Sequence, residues 1–315
     1  MRIACLQFAP RVGDVENNLS RANAILSKAN PKDIDLLVLP EMAFSGESGL
    51  PYFWGLFISE LTLYSGYNFS SLDHITPYLE PTTSGTTFLW ARTTALKHNC
   101  KVTAGYPEKV DHSSGESAKP ECYNSTVTVN REGKAIANYR KSFLYYTDET
   151  WAREGPGFFS GKIDGLGNVA MGICMDLNPY KFEAPWTACE FAHHILDNKA
   201  NLVILSMAWL TREDAEYFNR LAKKPDMDTL SYWISRLQPV LRAESTGEII
   251  VVLANRCGTE GEATYAGTSA VIGIKDGEVV VHGILGRGEE ELLVVDTDKT
   301  PRATNVSRPN STESN

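Results

Sequence analysis

Cysteines are few in this sequence, and none is spaced as a pair. The six, at positions 5, 100, 122, 174, 189 and 257, contain no Cys-x-x-Cys and no regular framework. In a chain of this length that excludes a disulfide scaffold and reads as free thiols in a reducing compartment. Blocks of basic residues are also missing: 30 Lys and Arg face 39 Asp and Glu, for a net charge of −9. Nucleic-acid binding needs a basic footprint to neutralise phosphates, so that class is set aside. No uninterrupted apolar run reaches membrane-spanning length. The opening Met1-Arg2-Ile3-Ala4-Cys5-Leu6-Gln7-Phe8 has too short an apolar stretch for a secretory signal. The expectation is a cytoplasmic protein with no membrane partner, in which the Asn124-Ser125-Thr126 triplet is a chance match to a glycosylation sequon.

Other signals are absent as well. No internal repeat is visible. His74, His98, His112, His193, His194 and His282 lie in no context that suggests a cysteine–histidine catalytic pair. Cys189 and His193 are four apart on a candidate helix and so share a face. No second half-site with ligand spacing follows, so neither a metal nor a cofactor is expected. The Gly165-Leu166-Gly167 segment and the glycine-rich stretch at 258–267 lack the strand-to-helix context of a nucleotide site.

What is present is a dense alternation of short β-branched runs and helical patterns, with 43% apolar residues, enough for one large core. The strand candidates are 2–8, 35–40, 101–105, 125–130, 135–140, 168–174, 202–206, 249–254, 268–274, 278–282 and 291–296. Asn130-Arg131-Glu132-Gly133 and Lys275-Asp276-Gly277 read as hairpin turns. Helices are expected over 17–29, 85–98, 186–199 and 228–244. Ser84 is the N-cap expected for the second, Pro185 suits the first turn of the third, and Pro239 should interrupt the fourth. Strands with helices between them indicate layered α/β packing. Residues 1–299 read as a single domain. From 300 to 315 the chain turns polar and reads as a flexible tail with no part in the core.

Three reactive residues close three strand-like runs. Glu41 ends Asp35-Leu36-Leu37-Val38-Leu39-Pro40-Glu41, Lys141 ends Ala135-Ile136-Ala137-Asn138-Tyr139-Arg140-Lys141, and Cys174 ends Val169-Ala170-Met171-Gly172-Ile173-Cys174. Ligands gather at strand ends, where loops are open but their roots are rigid. A carboxylate, an ammonium and a thiol brought together there make a base, an electrophile and a nucleophile. Taken singly, each has a plainer reading: a buried Cys, a Glu that opens a loop, a solvated Lys.

The local blocks favour the chemical reading. Leu37-Val38-Leu39-Pro40-Glu41, Tyr139-Arg140-Lys141-Ser142-Phe143-Leu144 and Gly172-Ile173-Cys174-Met175-Asp176 resemble, in order, the three signature blocks of the nitrilase, or carbon–nitrogen hydrolase, superfamily. The resemblance covers about residues 1–298. It implies an α-β-β-α sandwich of two packed mixed sheets with outer helices. Within the superfamily, Cys174 through Pro185 is most similar to the eukaryotic, and in particular fungal, protein N-terminal amidases. That resemblance implies a hydrolase of the N-degron pathway that deamidates N-terminal Asn and Gln of polypeptides and releases ammonia. Cys174 would be the nucleophile and Glu41 the base, with Lys141 and the backbone N–H of Met175 facing the oxyanion. A second carboxylate often accompanies the triad in this superfamily. Glu149 fits that place, with Glu154 as competitor and a solvated loop Glu as the plainer alternative. Asp176, Asn178 and Trp209 are the candidates for substrate binding. The acidic bias of Asp176, Asn178, Glu183 and Glu190, with no Arg over 174–185, suits an α-ammonium, although Asp176 could simply cap the following helix. Two alternatives stay open: a small-molecule amidase of the ω-amidase or carbamoylase type, and a catalytically inactive binding module. Superfamily members often associate through helices, so a homo-oligomer is open too.

One stretch departs from the family pattern. Gly46 is followed by residues 47–66, rich in Leu, Phe, Tyr and Trp with only two charges, before Tyr67-Asn68-Phe69 resumes the pattern. Removing 47–66 joins Phe44-Ser45-Gly46 to Tyr67-Asn68-Phe69. Gly46-Glu47-Ser48 can be encoded by a fungal-type 5′ splice site, Leu61-Thr62 by a branch-point-like sequence, and Ser65-Gly66 by a terminal CAG followed by G. The preferred reading is therefore an unspliced intron, because exposed apolar segments of this size need a reason. The rival is a genuine hydrophobic insertion, and such an insertion so close to Glu41 could block the pocket.

Overall fold

A computed structural model describes residues 1–45, 69, 71–110, 120–244 and 247–299, together with the backbone of 303–304. The anomalous stretch 47–66 and most of the tail lie outside the described residues. The first half of the chain supplies β1 (Arg2–Gln7), α1 (Val15–Ala29), β2 (Leu36–Val38), α2 (Leu72–Ile75), β3 (Glu80–Pro81), α3 (Thr86–His98), β4 (Lys101–Val110), β5 (Glu121–Val129) and β6 (Ala135–Arg140). The second half supplies β7 (Phe159–Ile163), β8 (Gly167–Ile173), α4 (Glu190–Asp197), β9 (Leu202–Met207), α5 (Ala215–Arg220), α6 (Met227–Arg236), α7 (Gln238–Arg242), β10 (Ile249–Asn255), β11 (Cys257–Glu260), β12 (Ala263–Ala266), β13 (Ala270–Lys275), β14 (Glu278–Ile284), β15 (Glu291–Asp296) and β16 (Ala303–Thr304).

These strands form two large mixed sheets. One runs β15-β1-β2-β4-β5-β6, with β3 beside β4; the other runs β16-β14-β13-β10-β9-β8-β7. The period-two alternation of each strand divides its side chains between two cores. Ile3, Cys5, Leu36 and Val38 of the first sheet meet Val169, Met171, Leu202, Ile204 and Val252 of the second in a layer between the sheets. Their neighbours Ala4, Leu6, Leu37 and Leu39 face the other way, against Ala22 and Leu26 of α1 and Trp90, Ala91 and Ala95 of α3. On the far side, Val203, Leu205 and Val251 pack against Phe191 and Ile195 of α4 and Trp233 of α6. The result is the α-β-β-α sandwich.

The helix ends need correction. Gly85, not Ser84, is the N-cap of α3 and has no side chain to offer. The Glu80 carboxylate takes over, accepting from the Thr87 N–H at 2.7 Å and the Thr87 hydroxyl at 2.6 Å. The expected helix over 186–199 shortens to α4, because Cys189 is in the left-handed conformation and separates it from a single 3₁₀ turn, Trp186–Ala188, that follows Pro185. The expected helix over 228–244 divides into α6 and α7 at Leu237, with Pro239 in the first turn of the second piece. Several strands fall outside the expected runs. β3 is only two residues long, β7 carries two exposed polar positions and a glycine, and the glycine-rich 258–267 stretch folds as the β11–β12 hairpin. The tail is not wholly outside the fold, since β16 pairs with the edge of β14.

Candidate active site

The two sheets bring three strand ends together. Glu41 follows β2 by three residues, Lys141 follows β6 directly, and Cys174 follows β8 directly. Close backbone packing holds the first two. A Cβ on Gly105 of β4 would stand 2.7 Å from the Met42 nitrogen and 2.8 Å from the Glu41 Cα, so only glycine lets β4 pass behind Glu41. Gly155 is pressed against the Arg140 carbonyl and donates its N–H to the Lys141 carbonyl at 2.8 Å. Cys174 adopts φ 41°, a left-handed conformation that is strained for a residue with a Cβ. It opens a single 3₁₀ turn, Cys174–Leu177. Met175 is the second residue of that turn, so its N–H has no acceptor within the turn.

Lys141 and Glu41 are buried and paired, with Lys141 Nζ 2.7 Å from Glu41 Oε1. The same ammonium lies 2.6 Å from Asp148 Oδ2. Burial works to lower the Lys141 pKa, but the charges of Asp148 and Glu41 outweigh it and hold the pKa above its ordinary value, so Lys141 stays cationic. The Cys174 thiol is pushed well up, first by burial and then by the Glu41 charge, with Lys141 and the Ala208 N–H acting the other way. At neutral pH it is a thiol and needs a base to become a nucleophile.

The second carboxylate beside Lys141 is Asp148, where Glu149 was expected. A short 3₁₀ turn, Asp148–Thr150, turns Asp148 inward and leaves Glu149 exposed. Glu154 is exposed as well and accepts from the Tyr180 hydroxyl at 2.8 Å. Asn124 was also missed. It sits in mid-strand on β5, wholly buried, in the triplet that matches a glycosylation sequon. Its side-chain nitrogen donates to Glu41 Oε1 at 2.8 Å and to Asp148 Oδ1 at 3.1 Å, and its backbone carbonyl accepts the Lys141 backbone N–H at 2.8 Å. The Ala208 N–H, just past β9, donates to the remaining Glu41 oxygen at 2.9 Å. Two anions thus share two donors, one charged and one neutral. The sequence signal for Asp148 was the adjacent pair of acids; for Asn124 it was only a polar residue within an apolar strand.

The expected substrate-binding residues separate. Asp176 is corrected: its carboxylate is buried and already takes four donors. These are the Tyr139 hydroxyl at 2.6 Å and the N–H groups of Ile173, Ser142 and Phe143 at 2.7, 3.1 and 2.8 Å. Burial raises its pKa to about 6. It ties the loop after Lys141 to the turn after Cys174 and has no position left for an ammonium. Glu190 is likewise engaged, by the Tyr180 N–H at 3.1 Å and the Arg236 guanidinium at 3.5 Å. Asn178 and Trp209 do belong together. Tyr232 donates to Asn178 Oδ1 at 2.6 Å, and its ring lies 5.4 Å from that of Trp209. Trp209 and Cys174 pack against the same core cluster. Among the described residues, no group of three or more His, Cys, Asp and Glu could hold a metal ion, and no helix is long and apolar enough to cross a membrane.

A half-buried thiol beside a buried carboxylate and ammonium can attack an electrophilic carbon, move a proton and stabilise an oxyanion. Comparison with known proteins gives the arrangement its context. Residues 2–178 match the carbon–nitrogen hydrolase family. The chain is 32% identical to the protein N-terminal amidase of Schizosaccharomyces pombe (strain 972 / ATCC 24843), over 95% of this chain and 100% of that protein. It is 31% identical to the protein N-terminal amidase of Saccharomyces cerevisiae (strain ATCC 204508 / S288c), over 67% of this chain but only 45% of that protein. A crystal structure of an N-terminal amidase with an Asn-Glu-Ala peptide shares the fold. Its TM-score is 0.76 at 23% identity, covering 93% of this chain and 96% of that one.

Proposed function

This chain belongs to the carbon–nitrogen hydrolase family, and from that premise we propose that it deamidates N-terminal Asn and Gln of polypeptides to Asp and Glu, releasing ammonia. The observation that carries the substrate is the likeness to the fission-yeast N-terminal amidase over the full length of that protein. The convergence of Glu41, Lys141 and Cys174 supports the reaction type. With three reactive side chains in place, the inactive-module alternative loses its ground.

In the proposed mechanism, Glu41 takes the Cys174 proton as the sulfur attacks the side-chain amide carbon. The oxyanion faces the Lys141 ammonium and the Met175 N–H. Glu41 returns the proton to the leaving nitrogen, ammonia departs, and a thioester to Cys174 remains. Water that has given its proton to Glu41 then cleaves the thioester, leaving a carboxylate on the substrate and restoring the thiol. Asp148 and Asn124 act through Lys141 and Glu41, holding both in place. The substrate partner is a polypeptide N-terminus. The six free cysteines suit a cytoplasmic enzyme.

The decisive assay is ammonia release from an Asn-peptide, a Gln-peptide, their N-acetyl forms and α-ketoglutaramate at equal concentration. Acetylation removes the α-ammonium charge, so it should remove most of the activity. If the acetylated peptides or the keto-amide react faster than the free-amine peptides, the small-molecule amidase replaces this reading.

A further inference from the structure

Lys141 has an awkward mount. It follows the last residue of β6, and β6 is the edge strand of its sheet, hydrogen-bonded to β5 alone. The end of an edge strand is where a sheet frays first. Yet the Lys141 ammonium must keep its place beside Glu41. Something other than strand pairing has to hold this end.

The anchor lies on the opposite face of the same sheet. Asn124 and Lys141 face the site, so their neighbours Ser125 and Arg140 face away from it, because side chains alternate along a strand. Ser125 stands opposite Arg140 in the ladder between β5 and β6. Both are gripped by one carboxylate, that of Glu108 on β4, which is wholly buried. Its Oε2 accepts from the Ser125 hydroxyl at 2.7 Å, from Arg140 Nε at 2.9 Å and from Asn138 Nδ2 at 3.1 Å. Its Oε1 accepts from Arg140 Nη2 at 2.8 Å and from the hydroxyl of Thr82, just past β3, at 2.5 Å. Burial works to raise the Glu108 pKa, but the hydrogen bonds from Arg140, Thr82 and Ser125 outweigh it and hold the carboxyl below its ordinary value. Arg140 is fixed on its other sides too. Its guanidinium lies 4.1 Å from the centre of the Tyr123 ring, and its carbonyl is pressed against Gly155. A guanidinium bound through two nitrogens to one carboxylate has a set direction as well as a set distance. A largely buried ion pair contributes little net stability over an apolar pair, so its main yield at this place is fixed geometry.

We infer that Glu108 is a positioning residue for the reaction: by gripping Arg140 and Ser125 it fixes the ends of β6 and β5, and so aims the Lys141 ammonium, with Asn124 beside it, at Glu41 and the oxyanion. The inference rests on the reading of Glu41, Lys141 and Cys174 as the reacting groups and deepens it. Glu108 touches none of the substrate, so its effect belongs in kcat and not in KM.

The test measures kcat and KM separately for ammonia release from an Asn-tripeptide, with unfolding temperature in parallel. A misplacement of about 1 Å caused far from the chemistry can cost about 100-fold in rate, so Glu108→Gln should lower kcat about 10–100-fold and leave KM within about twofold. Arg140→Lys keeps the charge but replaces the two-point grip with a single bond, and should lose less. Asp148 also acts through Lys141, so Glu108→Gln combined with Asp148→Asn should lose less than the product of the two single losses. A near-native kcat in both Glu108→Gln and Arg140→Lys, with only a lower unfolding temperature, overturns the inference and leaves the pair a support of the fold. A raised KM at unchanged kcat overturns it, and so do losses that multiply with that of Asp148→Asn. If Glu108→Gln does not fold, Arg140→Lys decides by the same kcat criterion. If the native protein releases ammonia from a small aliphatic amide but not from the tripeptide, the substrate reading fails, and the same comparison on that amide still decides the role of Glu108.

Discussion

Asp148 and Glu149 are neighbours in the chain with opposite fates, and substituting each in turn tests the site most sharply. Asp148→Asn keeps the shape and removes the charge. Lys141 then keeps Glu41 at 2.7 Å but loses the carboxylate at 2.6 Å on its other side. A hydrogen bond to a charged group contributes about 1.5–3 kcal/mol net. Stripping a buried ion of its only partner would cost about 3–5 kcal/mol, and because Glu41 remains, about 2–3 kcal/mol of stability is the expected loss. The ammonium, no longer held between two anions, is drawn toward Glu41 and away from the oxyanion. A transition-state loss of about 1.5–3 kcal/mol lowers kcat roughly 10–150-fold. The pH profile has a definite sign. Burial lowers the Lys141 pKa and Asp148 is the foremost charge raising it, so its removal brings that pKa down. The alkaline fall of kcat, read at saturating substrate, should therefore begin at lower pH in the variant. Glu149→Gln, at an exposed position, should change stability by no more than about 0.5 kcal/mol and leave the rate nearly unchanged. The assay is initial ammonia release from an Asn-tripeptide across pH, with thermal unfolding in parallel. A near-native rate for Asp148→Asn, or a large loss in Glu149→Gln, would refute the assignment.

Three further outcomes are expected. Cys174→Ala should abolish turnover while keeping the fold, and acid trapping of the native enzyme with substrate should leave a thioester on the peptide containing Cys174; near-normal rates in the variant would remove Cys174 from the mechanism. Because burial and the Glu41 charge push the Cys174 thiol well up, its thiolate fraction should keep rising past pH 9; iodoacetamide labelling of Cys174 that levels off below pH 8 would contradict this. Gly105→Ala forces a methyl against the backbone of Pro40, Glu41 and Met42, so it should cost about 1–3 kcal/mol in urea unfolding and depress kcat by displacing the base; full activity would show that β4 does not position Glu41.

Local sequence was informative where one short segment carries both its structure and its chemistry. Glu41, Lys141 and Cys174 each close an apolar, strand-forming run, so their place at strand ends could be read from the run itself. The two hairpin turns were legible for the same reason: Gly133 and the pair Asp276 and Gly277 take the positive φ that such turns demand. The interruption at Pro239 followed from proline's missing N–H.

Other features depended on side-chain direction or on partners far away in the chain. Whether Asp148 or Glu149 faces Lys141 is decided by one 3₁₀ turn, since adjacent residues in it point in different directions. Asp176 looked like a binding residue because it follows the nucleophile; its oxygens are claimed by a hydroxyl and two N–H groups from residues 139–143, more than thirty positions earlier, as well as by Ile173. Asn124 becomes part of the site only when β5 lies beside the exits of β2 and β6, 83 residues from Glu41 in the chain. Which groups could react, and roughly where strands would end, is written in local runs of residues. Which side chains meet is not, because side-chain direction and the filling of buried hydrogen bonds are set by packing across two sheets.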